Sequence, residues 1–214
     1  MFWLSIMIIE RFVVPPIDNN TYLIIDDTLN QAAVIDPSLG SEVILNKIKE
    51  TDVNVTHLLN THGHPDHTCD NSIIKEVTES KFMIHKLDAY FLLENQFAKN
   101  KSLVKVDEFF IEDGIIKIGK IEVKVIHTPG HSEGSCCFYI PREKILFSGD
   151  TLFEGSFGRV DLLGCDPNKM FESLTKLSKL PKDVKVYPGH GYPTTIGNES
   201  WINNQDLLKS MINR

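Results

Sequence analysis

No stretch of this chain reaches the roughly 20 consecutive apolar residues that a membrane helix needs. No run of Lys or Arg is long enough to track a phosphate backbone. The first absence argues against a membrane partner. The second, with a net charge of −7, argues against nucleic acid. The apolar start, Met1–Ile9, has no basic residue ahead of it and is ended by Glu10 and Arg11. It lacks the basic start and small-residue cleavage site of a signal peptide, so a cytoplasmic protein is expected. Met7 is an alternative start, with Met1–Ile6 an extension of no evident role. Cysteine is scarce: Cys69, Cys136, Cys137 and Cys165, with no CxxC pair. Adjacent Cys136 and Cys137 point to opposite faces of a strand, and all four read as reduced thiols. Linkers and low-complexity runs are also missing, so the 214 residues are expected to form one domain with a substantial core.

What the chain does have is an ordinary globular balance, 42% hydrophobic and 24% charged, and clear periodicity. Met7–Val14, Tyr22–Asp26 and Gln31–Asp36 read as an antiparallel start, because their connections are short. Ser41 reads as the cap of a helix with Val43, Ile44, Leu45 and Ile48 on its apolar face. Strand Val53–Asn60, helix Cys69–Glu79, strand Lys81–His85 and helix Asp88–Gln96 follow. Then come strands over Val104–Phe110, Ile115–Ile118, Ile121–Ile126, Cys136–Ile140 and Lys144–Phe147. Pro167–Leu180 reads as a helix with Pro in its first turn, Val184–Tyr187 as a strand, and Asn198–Leu208 as a capped helix. Two β-rich halves, each ending in helices, pack naturally as two sheets with helices on the outer faces.

The densest chemistry is Thr61-His62-Gly63-His64-Pro65-Asp66-His67, directly after an apolar strand. Imidazole and carboxylate are the preferred ligands of zinc and its neighbours. His62 and His64, two apart, share a side in extended backbone. Adjacent Asp66 and His67 address a second point, so one stretch can begin two metal sites. Three later strands end in Gly-containing turns, each with a metal-capable side chain: His127-Thr128-Pro129-Gly130-His131, Ser148-Gly149-Asp150-Thr151 and Pro188-Gly189-His190-Gly191. In α/β sheets ligands gather beyond strand carboxyl ends.

Thr61–His67, Thr128–Ser132, Phe147–Phe153, Gly158-Arg159 and Pro188–Tyr192 together resemble the metallo-β-lactamase superfamily. Within it they resemble the glyoxalase II (hydroxyacylglutathione hydrolase) group. The resemblance implies an αββα sandwich of two mixed sheets. It also implies a binuclear centre in which His62, His64 and His131 hold one ion, Asp66, His67 and His190 the other, and Asp150 bridges both. Zinc is the expected metal, with iron or manganese as alternatives. In β-lactamases of the superfamily a Cys stands at the bridging position, so Asp150 argues against antibiotic hydrolysis. Two divalent ions about 3.5–4 Å apart lower the pKa of a shared water and polarise a carbonyl, with Asp66 orienting the nucleophile. A thiolate leaves with little acid help, since its pKa is about 8.5, so the expected substrate is a small thioester such as S-D-lactoylglutathione. Arg159, Tyr192 and, more weakly, Tyr139 are the candidate thiol-binding residues. The resemblance is to a short branch without the helical C-terminal extension that supplies part of the glutathione site. Two other activities use much of the same ligand set: a mononuclear iron persulfide dioxygenase and a lactonase. His57, His85 and His127 match no ligand position and read as structural or surface residues, His127 lying near enough to His131 to support it. Cys69 reads as a packing residue. Tyr90, Phe91 and Phe97 are candidates for the pocket wall.

Overall fold

The computed structural model describes residues 7–40, 42–94, 104–162 and 164–212. The expectations for Met1–Ile6, the Ser41 cap, Phe97 and the start of the 101–110 segment lie outside these residues.

One sheet holds six strands in chain order: β1 (Met7–Val14), β2 (Asn19–Asp26), β3 (Gln31–Ile35), β4 (Asn54–Leu59), β5 (Lys81–Ile84) and β6 (Glu108–Phe109). Its first three strands pair antiparallel, as short connections require, and β3 to β6 pair parallel. The other sheet runs β12-β11-β10-β9-β8-β7, from β7 (Ile115–Ile118), β8 (Ile121–His127), β9 (Cys136–Ile140), β10 (Ile145–Gly149), β11 (Lys185–Pro188) and β12 (Thr194–Thr195). Only β10 and β11 are parallel there.

The layers follow from which faces are apolar. Tyr22, Ile24, Ile35 and Leu59 of the first sheet meet Val123, Phe138, Ile140 and Phe147 of the second in a central core. The outer face of the first sheet, with Leu23, Val34 and Phe82, is covered by α1 (Glu42–Thr51) through Ile44 and by α3 (Asn71–Thr78) through Ile74. The outer face of the second, with Cys137, Leu146 and Val186, is covered by α5 (Pro167–Leu177) and α6 (Gln205–Ile212). Each fully buried Ile or Leu in these layers contributes about 1.5–3 kcal/mol of transfer free energy. The architecture is therefore an αββα sandwich. Among the described residues no helix is long and apolar enough to cross a membrane.

Several boundaries differ from the expected ones, each for a tertiary reason. β2 starts at Asn19, not Tyr22. The Asn20 amide donates to the Pro188 and Gly191 carbonyls at 2.8 and 2.9 Å, so polar residues of a turn-like sequence are held as strand. Of Val104–Phe110 only Glu108 and Phe109 pair as strand, because the Asp107 side chain instead accepts from the Phe82 amide at 2.8 Å. Over the described part of the expected Asp88–Gln96 helix, up to residue 94, the chain forms a one-turn 3-10 segment at Lys86–Asp88 and α4 (Phe91–Glu94). The last helix begins at Gln205, preceded by a 3-10 turn over Ser200–Asn203.

Candidate metal centre

The centre forms where the carboxyl ends of β4, β8, β10 and β11 converge across the two sheets. After β4, Thr61–Gly63 bends and His64 becomes the residue before α2 (Pro65–Thr68). Pro65 costs nothing at the first helical position, where its missing N–H has no partner to lose. His64 makes no side-chain cap bond, so its ring stays free to face the cavity. The single turn of α2 then presents Asp66 and His67.

Three groups of donor atoms result, one of them Asp36, His62 and His67, in which Asp36 is already bonded to Thr61. His62, His64 and His131 each offer a ring nitrogen, and these lie within 4.8 Å of one another, as do the donor atoms of Asp66, His67 and His190. His64 Nδ1 and His131 Nε2 are 2.9 Å apart. Asp66 Oδ2 lies 3.4 Å from His67 Nε2 and 3.3 Å from His190 Nε2. Asp150 stands between the groups. Its Oδ1 is 3.4 Å from His67 Nε2, and its Oδ2 is 3.4 Å from His131 Nε2 and 3.6 Å from His190 Nε2. All seven residues that the sequence motifs single out are thus brought together. The turn carrying His190 needs glycine at 189, since a Cβ there would come within 2.2 Å of Asp150 Oδ1.

Three buried atoms at this point have no hydrogen-bond partner: His62 Nε2, His67 Nε2 and Asp150 Oδ1. Burying such an atom unpaired costs about 1–3 kcal/mol. Three orphans converging on one place are what a cation site requires, and a donor set of imidazoles and carboxylates suits divalent metals of the zinc series.

The electrostatics divide the same way. Burial, then the neighbouring imidazoles, push the pKa of His62 well below 6.5. Burial and His131 push His64 down to about 4. Both rings are neutral at pH 7 and ready to ligate. Burial also opposes charge on His67, but Asp150, Asp66 and Asp36 outweigh it and raise the pKa well above the usual histidine value. For His190 burial is likewise outweighed, chiefly by the hydrogen bond with Asp66. Asp66 and Asp150 stay ionised despite burial, because His67 faces both.

Two supporting residues escape the sequence motifs. Asp36, at the end of β3 and 2% exposed, accepts from the Thr61 amide at 2.7 Å and the Thr61 hydroxyl at 2.6 Å, and lies 3.0 Å from His67 Nδ1. Its oxygens are committed to these partners, so it orients His67 and so fixes which nitrogen faces the centre. A lone Asp-Pro after a strand reads only as a turn; a φ of 51° at Asp36 is the backbone sign that something else holds it. Asn19 donates its amide to Asp66 Oδ2 at 3.0 Å. His131 Nδ1 is held in turn by the Arg159 carbonyl at 2.9 Å.

A cavity of about 640 Å³ opens onto the centre. Its wall outside the metal-capable groups is mainly apolar, with Ile17, Leu39, Phe153 and Leu162 among its members, and it includes Arg159. Arg159 also pairs with Asp161 at 2.8 and 2.9 Å. Tyr192 and Tyr139 are not part of this wall. Tyr192 is exposed beside Arg11, and Tyr139 packs with the core under α5 and α6. Phe91 sets its ring edgewise to His64, centroids 5.0 Å apart. Cys69, buried, lines the cavity floor. His85 and His127 stack on each other at 4.3 Å, away from the ligand groups.

The family model of the metallo-β-lactamase superfamily matches residues 14–190. The chain belongs to the metallo-β-lactamase superfamily. Members of the superfamily bind divalent metals, which agrees with the His and Asp clusters above. Among relatives, the hydroxyacylglutathione hydrolase GloC of Haemophilus influenzae is 35% identical over 206 residues, covering 92% of this chain and 97% of its own length. Among solved structures, TTHA1623 in a di-iron-bound form is 32% identical with a TM-score of 0.79, covering 89% of this chain and 96% of the other. The BLEG-1 B3 metallo-β-lactamase is 30% identical with a TM-score of 0.81, covering 90% and 96%. Relatives named hydroxyacylglutathione hydrolase support a metal-dependent hydrolase of this superfamily.

Proposed function

We propose that this member of the superfamily is a single catalytic unit: a binuclear hydrolase of a small thioester, with S-D-lactoylglutathione the first substrate to test. The observation that carries the reading is the pair of donor groups sharing Asp150, with unpartnered His62 Nε2, His67 Nε2 and Asp150 Oδ1 turned toward each other. His62, His64 and His131 would hold one ion, Asp66, His67 and His190 the other, and Asp150 both. Bound there, two divalent ions supply a hydroxide nucleophile at neutral pH and a Lewis acid for the substrate carbonyl.

The chain's own groups do the rest. Asp66, kept ionised by His67 and braced by the Asn19 amide, orients the attacking water by accepting its hydrogen bond. Asp36 and the Arg159 carbonyl fix the rings of His67 and His131. The apolar wall limits water around the reacting carbonyl, which strengthens every charge interaction at the centre. The Arg159 side chain meets a carboxylate of the thiol half by exchanging its Asp161 partner. Tyr192 and Tyr139 lie off the cavity wall and have no part in this reading. The similarity to a hydroxyacylglutathione hydrolase supports the thioester, and the di-iron neighbour supports two ions of a metal other than zinc as well.

One preparation measured two ways tests this. Metal per chain is determined, and loss of S-D-lactoylglutathione is followed as loss of thioester absorbance. Two ions with turnover is the expected result. One iron with oxygen uptake on glutathione persulfide and no thioester loss would replace the reading with a dioxygenase. Hydrolysis of a lactone or of a β-lactam in preference to the thioester would overturn the substrate class; BLEG-1 is the reason to include the β-lactam.

A further inference from the structure

The buried carboxylate of Asp88 plays no part in the chemistry above, yet it touches both loops of the three-imidazole group. It sits in the 3-10 turn Lys86–Asp88 after β5 and is 0% exposed. Its Oδ2 accepts from the Gly63 amide at 2.8 Å, between His62 and His64, and from the Ser132 hydroxyl at 2.6 Å, next to His131. Its Oδ1 accepts from the Gly134 amide at 2.6 Å. One loop follows a strand of the first sheet and the other a strand of the second, so a single carboxylate ties two ligand loops that no shared strand holds in register. The fit is close on both sides. A Cβ at Gly134 would meet Asp88 Oδ1 at 2.6 Å, and one at Gly63 would meet the Asp88 carbonyl at 2.6 Å. Burial raises the Asp88 pKa while the three donors lower it, Ser132 most. The turn is braced from outside by His85, the residue before it, stacked on His127 at the end of β8.

We infer that Asp88 is a positioning residue that sets the spacing of His62, His64 and His131, and thereby the affinity of that half of the centre for its metal. This rests on the binuclear reading above. Its signature is asymmetric, because its hydrogen bonds go to Gly63, Ser132 and Gly134, beside His62, His64 and His131, and none goes to Asp66, His67 or His190 themselves. Asp88→Asn puts an amide donor against a backbone N–H that needs an acceptor, that of Gly63 in one orientation of the amide and that of Gly134 in the other, and neither N–H can turn away. Residues that orient a ligand are worth roughly 10–100-fold in metal affinity.

The test is competitive titration of metal-free protein with Co2+ or Zn2+ against a chromophoric chelator, resolving two binding steps. For Asp88→Asn one step should weaken at least tenfold and the other stay within twofold of wild type, with far-UV circular dichroism unchanged. Ser132→Ala removes one of the three donors without adding another and should weaken the same step by a smaller factor, about threefold. It decides the matter if Asp88→Asn does not fold. Two unchanged steps in a folded variant, or equal weakening of both, would overturn the inference. A wild-type protein that binds no metal would instead refute the binuclear reading itself.

Discussion

The two halves of the candidate metal centre are built from different chemistry, and the difference shows in their electrostatics. Around His62, His64 and His131 the donors are three imidazoles, and burial keeps His62 and His64 unprotonated. Around Asp66, His67 and His190 two carboxylates, Asp66 and Asp150, raise the pKa of both imidazoles. A cation binding to His67 and His190 therefore competes with protons more than one binding to His62 and His64. Asp150 lies between the two halves, within 3.6 Å of His67, His131 and His190, yet their response to pH is set by their separate neighbours.

Removing the shared ligand is the severest way to break the comparison. Asp150→Ala should lower turnover by at least about 100-fold, since losing a ligand costs more than the 10–100-fold of losing a ligand's support. Full turnover in that variant would sink the binuclear mechanism. Next in size is Asp36→Ala, which reaches His67 directly and His62 only through the Thr61 hydroxyl. It frees His67 Nδ1 and strands the buried Thr61 amide, so metal affinity at that half should fall about 10–100-fold and stability by about 1–3 kcal/mol, read by chelator titration and by urea unfolding. Loss at the first half instead would show the division to be wrong.

The pH behaviour sharpens the contrast. His67 and His190 have raised pKa values in the metal-free protein, so they are protonated below those values, and metal uptake there must release protons and strengthen as pH rises. His64, down at about 4, has almost no proton to release at pH 6, and His62, pushed below its usual value, has less to release than His67 or His190. Calorimetry at pH 6 in buffers of different ionisation enthalpy should show proton release for one binding event more than for the other; equal release would erase the distinction. The smallest effect is expected from Arg159→Ala. Its carbonyl, which holds His131, survives the change, so KM for S-D-lactoylglutathione should rise by a few-fold with kcat unchanged, the pattern of lost uniform binding.

Much of this centre is legible in the chain. Metal-capable residues cluster at strand ends, so the motifs stand out from residue type and spacing, and the family resemblance picks His62, His64, Asp66, His67, His131, Asp150 and His190 from among them. The layers are legible because periodicity reports which face is apolar. The supports are not. Asp36 lies far from the motif it braces and looks like a turn residue. Asp88 looks like the opening of a helix. Asn19 and Asn20 look like a loop and are drawn into β2 by partners from the far end of the chain. What escapes the sequence is long-range hydrogen bonding, which leaves no local pattern.

That reach has a consequence for assembly. Asn19 touches His190 across 171 positions, and Tyr22 donates its hydroxyl to the Pro188 carbonyl across 166. On a ribosome the first sheet can form early, but the centre cannot close until residue 190 has emerged. Contacts of such sequence separation form late and slowly. A nascent chain stalled before β11 would carry the histidine-rich stretch without His190 or the Pro188 carbonyl that holds Tyr22 and Asn20.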